Sequence, residues 1–195
     1  FITFLSGEHD KETKGGALVS ATSIANEENS VRTAKLQAVR KAIRERVSAF
    51  AVADDWQKRH YDAVKAYYSA STTPLLWVGA HGPTAHAKSV IDEIGRAGEY
   101  GLRAKDYDLP TLRDHLPVDS QRAHQLADVE IGLSLAVLHY THDARGGRIT
   151  PSRLTAYLDP ETYLPDPANV LNSVSRQTDP AAYVRGFHPS HPQFE

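Results

Sequence analysis

The sequence has 195 residues, 41% of them hydrophobic, which is enough for one domain with a real core, or one domain and an added segment. A formal net charge of -2 lacks the basic excess of a dedicated nucleic-acid binder, and the ten histidines would turn the charge positive on mild acidification. With no cysteine, these residues hold no disulfide, no zinc–thiolate site and no thiol nucleophile.

The chain starts at Phe1 rather than Met and is read as less than a complete reading frame. No uncharged run approaches the roughly 18 residues needed to span a bilayer. Residues 1–28, with Gly15-Gly16 and Glu27-Glu28, read as a poorly structured N-terminal segment with a short strand at Ile2–Leu5. From Asn29 to Phe50 the pattern turns helical, with Val39, Ile43, Val47 and Phe50 on one face. Arg32, Lys35, Arg40, Lys41, Arg44 and Arg46 give residues 32–46 a basic face, read as solvated or as a contact for an anionic polymer or lipid headgroups.

A second helix is expected from Asp55 to Ser71, capped by an aspartate and carrying Trp56, Tyr61, Val64, Tyr67 and Tyr68. It stops before Thr73-Pro74, because the residue before a proline disfavours helical angles. Leu75-Leu76-Trp77-Val78 is a strand fragment or an extended plug in the core. A third helix runs from Thr84 to about Gly98, with Val90, Ile91 and Ile94 inside, and Leu109 to Leu116 suggests a short one. Asp119 opens a long helix to Arg145, with one apolar stripe of Leu126, Val129, Leu133, Ala136, Val137 and Tyr140. Gly146-Gly147 stops it, and Thr150-Pro151 starts another. Asp166-Pro167 and Asp179-Pro180 start helices over 167–176 and 180–186, and the proline-containing tail after them is irregular. The sum is an all-α fold, an irregular multi-helix bundle with at most one short β element.

Several clusters invite a chemical reading. His139, His142 and Asp143 fall near one helix face at spacings a zinc ion accepts, so a metal-dependent hydrolase using His139 and His142 is one alternative, although no His-Glu-x-x-His motif is present. A solvated or ion-paired helix face is the simpler account. Glu93, Glu99, Asp106 and Asp108 offer carboxylates for glycan cleavage, with Asp106 and Asp108 better explained as turn caps. Ser134 is mid-helix, where its hydroxyl bonds a backbone carbonyl rather than attacking a substrate. Arg148 is a candidate for an ion pair with Asp128 or Asp143. Trp77, Tyr67 and Tyr140 are assigned to the core, and Tyr68 and Tyr100 to a ligand groove.

One ordered set of short motifs carries a resemblance. Ala66-Tyr67-Tyr68-Ser69 leads to Pro74-Leu75-Leu76-Trp77-Val78, then Gly98-Glu99-Tyr100-Gly101-Leu102 with Asp106-Tyr107. Ala127-Asp128-Val129 opens the part of the long helix that closes with His139-Tyr140, and Gly147-Arg148-Ile149-Thr150-Pro151 follows. Phe187-His188-Pro189 and His191-Pro192-Gln193-Phe194 complete the order. This order, from Ala63 to Phe194, resembles the helical scaffold domain of large periplasmic L,D-transpeptidases, the murein cross-linking enzymes of Gram-negative bacteria.

In that family the scaffold is accompanied by a peptidoglycan-binding module and a catalytic domain with a nucleophilic cysteine in a Ser-His-Gly-Cys type motif. This chain has no such motif, so the resemblance brings no catalytic residue, cofactor or metal ligand with it. It implies a division into residues 1–28, a basic helix and the start of a second over 29–62, and a scaffold-like domain over 63–195. It also implies a non-catalytic scaffold in the cell envelope, whose parent is an acyltransferase. Its partners would be peptidoglycan or the protein's own catalytic and peptidoglycan-binding modules. Trp77, Tyr140, Gly147, Arg148 and Pro151 would be structural. A helical adaptor binding a protein through the basic face 32–46 is the alternative from a different functional class.

Overall fold

The computed structural model describes residues 12–51, 55–70, 73–112, 120–146 and 164–189. Six helices account for most of them: α1 (Glu12–Ser48), α2 (Asp55–Ser69), α3 (Ala85–Gly95), α4 (Ser120–Ala144), α5 (Pro167–Val174) and α6 (Pro180–Arg185). Two short 3-10 turns, Ala97–Tyr100 and Ala104–Tyr107, follow α3. The β structure among the described residues is one two-residue hairpin, β1 (Val78–Gly79) against β2 (Gly82–Pro83), with Val78 opposite Pro83. The fold is all-α with one small β element.

The helix ends follow local chemistry. Thr84 accepts a hydrogen bond from the Ala87 amide at the start of α3. Asp166 accepts from Asn169 N and Asp179 from Ala182 N, each followed by a proline whose missing N–H is not needed in a first turn. Gly101, at φ 73°, and Gly146, at φ 93°, reverse the chain after the first 3-10 turn and after α4, in a backbone region glycine enters cheaply.

Helix α1 departs from the expected N-terminal segment. It begins at Glu12 rather than Asn29 and runs for 37 residues, about 55 Å at 1.5 Å per residue. From Ser23 to Lys35 its side chains are all exposed, including Ile24 and Val31. Its C-terminal part joins the body, where Val39, Ala42, Ile43 and Val47 enter the core. The strand considered at Ile2–Leu5 lies outside the described residues.

The long helix α4 is also not what a single stripe predicts. It packs against each of the other helices and both strands. Residues that flank the stripe, Ala127, Glu130, Ile131, Ser134, Leu138, Thr141, His142 and Asp143, are buried with it. A helix buried on most of its circumference is the axis of a bundle rather than a surface element. Around it Val64, Tyr67, Tyr68, Trp77, Val90, Ile94, Tyr107, Val170, Leu171 and Val184 complete one continuous core. Residues 109–112 are irregular rather than helical, because Asp108 takes a left-handed φ of 44° that ends the preceding turn. Gly147, Arg148 and Pro151 lie outside the described residues, as does the helix expected after Pro151. The Trp56 side chain also falls outside the description.

The three side-chain caps are expected to act alone. Thr84→Ala, Asp166→Ala and Asp179→Ala should each lower stability by about 1 kcal/mol in urea unfolding followed by circular dichroism, additively because they serve different helices.

Candidate functional site

The segment Thr73–Val78 contains little regular structure, yet Leu76, Trp77 and Val78 are buried. Backbone amides placed there need acceptors. One side chain supplies them: Glu130 of α4, fully buried, accepts from Leu76 N through Oε1 and from Trp77 N and Val78 N through Oε2, the latter two at 2.9 Å. The Tyr68 hydroxyl of α2 donates to Glu130 Oε1 at 2.9 Å and lies 2.9 Å from Ser134 Oγ. Ser134 accepts from the Trp77 indole N–H at 2.9 Å and donates to the Glu130 carbonyl one turn back at 2.8 Å. Two more anchors hold the same segment: Arg40 donates to Thr73 O, and Tyr67 to Pro74 O.

This network relocates Tyr68. A ligand groove needs the ring at the surface, but Tyr68 is buried between Glu130 and Ser134, edge-on to Tyr67 at 4.9 Å. Its hydroxyl is consumed as a donor to the carboxylate, and burial, with the Glu130 charge beside it, pushes its pKa upward. Trp77 and Tyr140 are fully buried. Ser134 is enclosed and bonded on both sides, the opposite of an activated nucleophile. Glu130 itself carries no motif. The available sign was a carboxylate inside the apolar stretch Leu126–Val137.

The second polar region is the C-terminal half of α4. His139 Nε2 lies 3.6 Å from Asp143 Oδ2, and His142 Nδ1 lies 3.4 Å from Asp143 Oδ1. The Tyr107 hydroxyl donates to Asp143 Oδ2 at 3.2 Å, and the His60 ring meets His142 edge-on at 5.8 Å. A cleft of about 230 Å³ beside them is lined in part by Gln57, His60, Tyr61, Tyr107, Asp108 and His139. The two histidines proposed as a metal pair turn to opposite oxygens of one aspartate. Among the described residues no three His, Asp or Glu side chains converge to hold a metal ion. His142 and Asp143 are buried rather than on a solvated helix face.

The other candidates are dispersed. Glu93 is buried and paired with Arg96 and Arg185, Asp106 pairs with Arg103, and Asp108 is an exposed turn residue. These carboxylates share no pocket suited to acid–base cleavage. Asp128 pairs with Arg46 at 2.9 Å on the surface, and Arg148, its expected partner, lies outside the described residues. Of the basic face, Arg40 and Arg46 are therefore engaged with the fold, while Arg32, Lys35, Lys41 and Arg44 are exposed. Tyr100 is 40% exposed and stacks on His188 at 3.9 Å, and His188 Nε2 sits 2.6 Å from the Tyr140 hydroxyl. His191 lies outside the described residues.

Removing the Glu130 acceptor strands three amide donors and a phenol, and buried groups left without partners cost about 1–3 kcal/mol each. Glu130→Ala should therefore lower stability by more than about 3 kcal/mol in urea unfolding, whereas Tyr68→Phe, which removes one donor, should cost about 1 kcal/mol.

Two groups impose opposite pH dependence. Burial pushes the Glu130 carboxyl from 4.5 up to about 7, against the pull of its donors, so the folded chain holds a proton that the unfolded chain has released. Its contribution to stability is complete below about 4.5 and is lost as pH rises towards 7. Burial lowers His188 below its ordinary 6.5, so its contribution is present above 6.5 and lost as pH falls. Thermal melts from pH 4.5 to 7.5 should show the first slope vanish in Glu130→Gln and the second vanish in His188→Phe.

A protein-family model described as the Scaffold domain matches residues 62–195. No curated protein and no solved structure matches the chain. The matched stretch runs from within α2 through the Glu130 clamp, α4 and α6, well over half of the sequence. The protein belongs to the Scaffold domain family.

Proposed function

We propose that this chain is a non-catalytic scaffold region of an L,D-transpeptidase-like cell-envelope protein, which positions a catalytic module or murein strands in the periplasm. The observation that carries the reading is the Scaffold-domain match over residues 62–195, the same stretch whose ordered motifs resemble the transpeptidase scaffold. The chemistry is consistent with it. Acyl exchange needs an activated nucleophile and donors for the developing oxyanion, and the 195 residues contain no thiol. Ser134, the serine of the buried Glu130 network, is sealed into the core by Trp77 and Glu130. What such a body offers is fixed geometry: a central helix packed on nearly all sides and a loop clamped to it, so that a partner held on its surface keeps one orientation.

The test uses the purified 195-residue chain with murein sacculi, with soluble muropeptides, and with a separately produced L,D-transpeptidase catalytic domain. The expected result is co-sedimentation with sacculi or a stable complex with the catalytic domain, and no cross-linked muropeptide by mass spectrometry when the chain is alone. Cross-linking by the chain itself, or the absence of binding to both, would overturn the reading.

A second reading rests on the exposed cations of α1. Arg32, Lys35, Lys41 and Arg44 remain at the surface and suit an adaptor that docks an acidic protein. It differs in outcome: capture of a protein that is lost on Lys35→Glu with Arg44→Glu, with sacculus binding unaffected.

A further inference from the structure

The corner where α3, α6 and the turn Ala97–Tyr100 meet holds more positive charge than its architecture uses. Glu93, 1% exposed, is gripped by Arg185 of α6, whose Nε lies 3.1 Å from both carboxylate oxygens and whose Nη2 lies 2.9 Å from Oε2. That pair alone ties α6 to α3 and neutralises the buried charge. Arg96, at the C-cap of α3, adds a second guanidinium 2.8 Å from the same Oε2. One carboxylate thus holds two cations, and the trio carries one net positive charge.

Both guanidiniums face water: the side chains of Arg96 and Arg185 are 54% and 47% exposed. Their hydrogen bonds among the described residues engage Nη2 of Arg96 and Nε and Nη2 of Arg185, all with Glu93. Each fork therefore keeps N–H donors directed away from that carboxylate. Beside them stands the exposed Tyr100 ring, stacked on His188 with the two planes 13° apart. The stack is backed by the fully buried Tyr140, whose hydroxyl meets His188 Nε2. Arg96 is the N-cap of the turn that ends at Tyr100, and the His188 amide donates to Arg185 O at 3.1 Å, so the ring stack and the two guanidiniums share one corner of the fold. Among the described residues, Asp179, whose carboxylate also caps α6, acts on Arg185, and the exposed Glu99 lies on the turn that ends at Tyr100. Burial keeps His188 neutral at neutral pH, so it adds no charge.

We propose that Arg96, Arg185 and Tyr100 form a binding site for a peptide carboxylate, from an acidic side chain or a chain terminus, with an apolar neighbour resting on the Tyr100 ring. The two guanidiniums offer paired N–H donors that fit a planar carboxylate, and the carboxylates of Glu93, Asp179 and Glu99 around them disfavour a phosphate dianion. Two guanidiniums held in place by a buried anion lose little freedom on binding, and an aromatic ring on a rigid stack adds contact area at the same low cost. The site stands on its own geometry and is independent of the scaffold reading.

The experiment follows the arginine side-chain N–H signals of the full 15N-labelled chain by NMR. The probes are Ac-Ala-Phe-Glu-Ala-NH2, Ac-Ala-Phe-Ala with a free terminal carboxylate, the neutral Ac-Ala-Phe-Ala-NH2, and inorganic phosphate. At least one carboxylate peptide is expected to shift Arg96 and Arg185 signals with an affinity at least five-fold above the neutral peptide, and the tighter of the two names the source. Arg96→Gln should weaken it at least five-fold with the fold intact, because Arg185 still pairs Glu93. Tyr100→Ser, a change at an exposed ring, should weaken it as well. No shift, equal response to the neutral peptide, tighter binding of phosphate, or indifference to both substitutions would overturn the proposal.

Discussion

The fold depends on one buried carboxylate. Glu130 lies in the middle of the central helix, where an ionisable group is costly to desolvate, and it answers three consecutive amides of a segment that has no sheet or helix to satisfy them. Without that acceptor, the run from Leu76 to Val78 could not be buried, and the Trp77 indole could not reach Ser134. With it, an irregular loop becomes a wall of the core, and the β1–β2 hairpin starts from a fixed point. The same residue joins α2 to α4 through Tyr68, so helix packing and loop placement are set by one set of hydrogen bonds. A polar network of this kind specifies one arrangement when every member is satisfied.

Around that clamp the molecule is organised by α4. Its N-terminal half meets α1 through Arg46 and Asp128 at the surface, its centre carries the clamp, and its C-terminal half carries the His139–His142–Asp143 cluster beside the cleft with His60 and Tyr107. The buried carboxylates Glu93, Glu130 and Asp143 are each answered by specific partners, so their burial is a matter of pairing rather than of polarity avoided. The corner formed by α3 and α6 follows the same rule with one difference. Glu93 is matched twice over, and the surplus guanidinium faces outward next to an aromatic ring.

Much of this organisation is legible in the residues themselves. The Asp-Pro pairs mark the starts of α5 and α6, because proline tolerates only the first turn and aspartate supplies the missing acceptor. Thr84 marks α3, Val39, Ile43 and Val47 mark the packed end of α1, and the spacing in α4 marks a helix of the right extent. These signals are local: each needs only the chemistry of three or four neighbouring residues. The ordered motifs between Ala63 and Phe194 also fall within the residues matched by the Scaffold-domain model. Candidate sites were less legible. Tyr68 and Tyr100 look alike as exposed-aromatic candidates in a one-dimensional reading, but one closes a buried network and the other stacks at the surface. His139 and His142 share a helix face yet turn to different oxygens, since helical spacing sets direction only to within the reach of a side chain.

By itself, then, the sequence determined α2 to α6, the Asp-Pro caps, the all-α class and the lack of any thiol in these residues, since all of these follow from composition and short-range pattern; the extent of α1 and the irregular course of residues 109–112 did not. Tertiary structure alone decided which polar residues are inside. Glu130 with Leu76 to Val78, Tyr68 with Ser134, and Glu93 with Arg185 are separated by 52 to 92 residues along the chain. No local periodicity encodes a pairing across such a distance. It arises only when helix packing brings a buried charge to the donors that can satisfy it, and that is also how α4 became an axis rather than a surface helix.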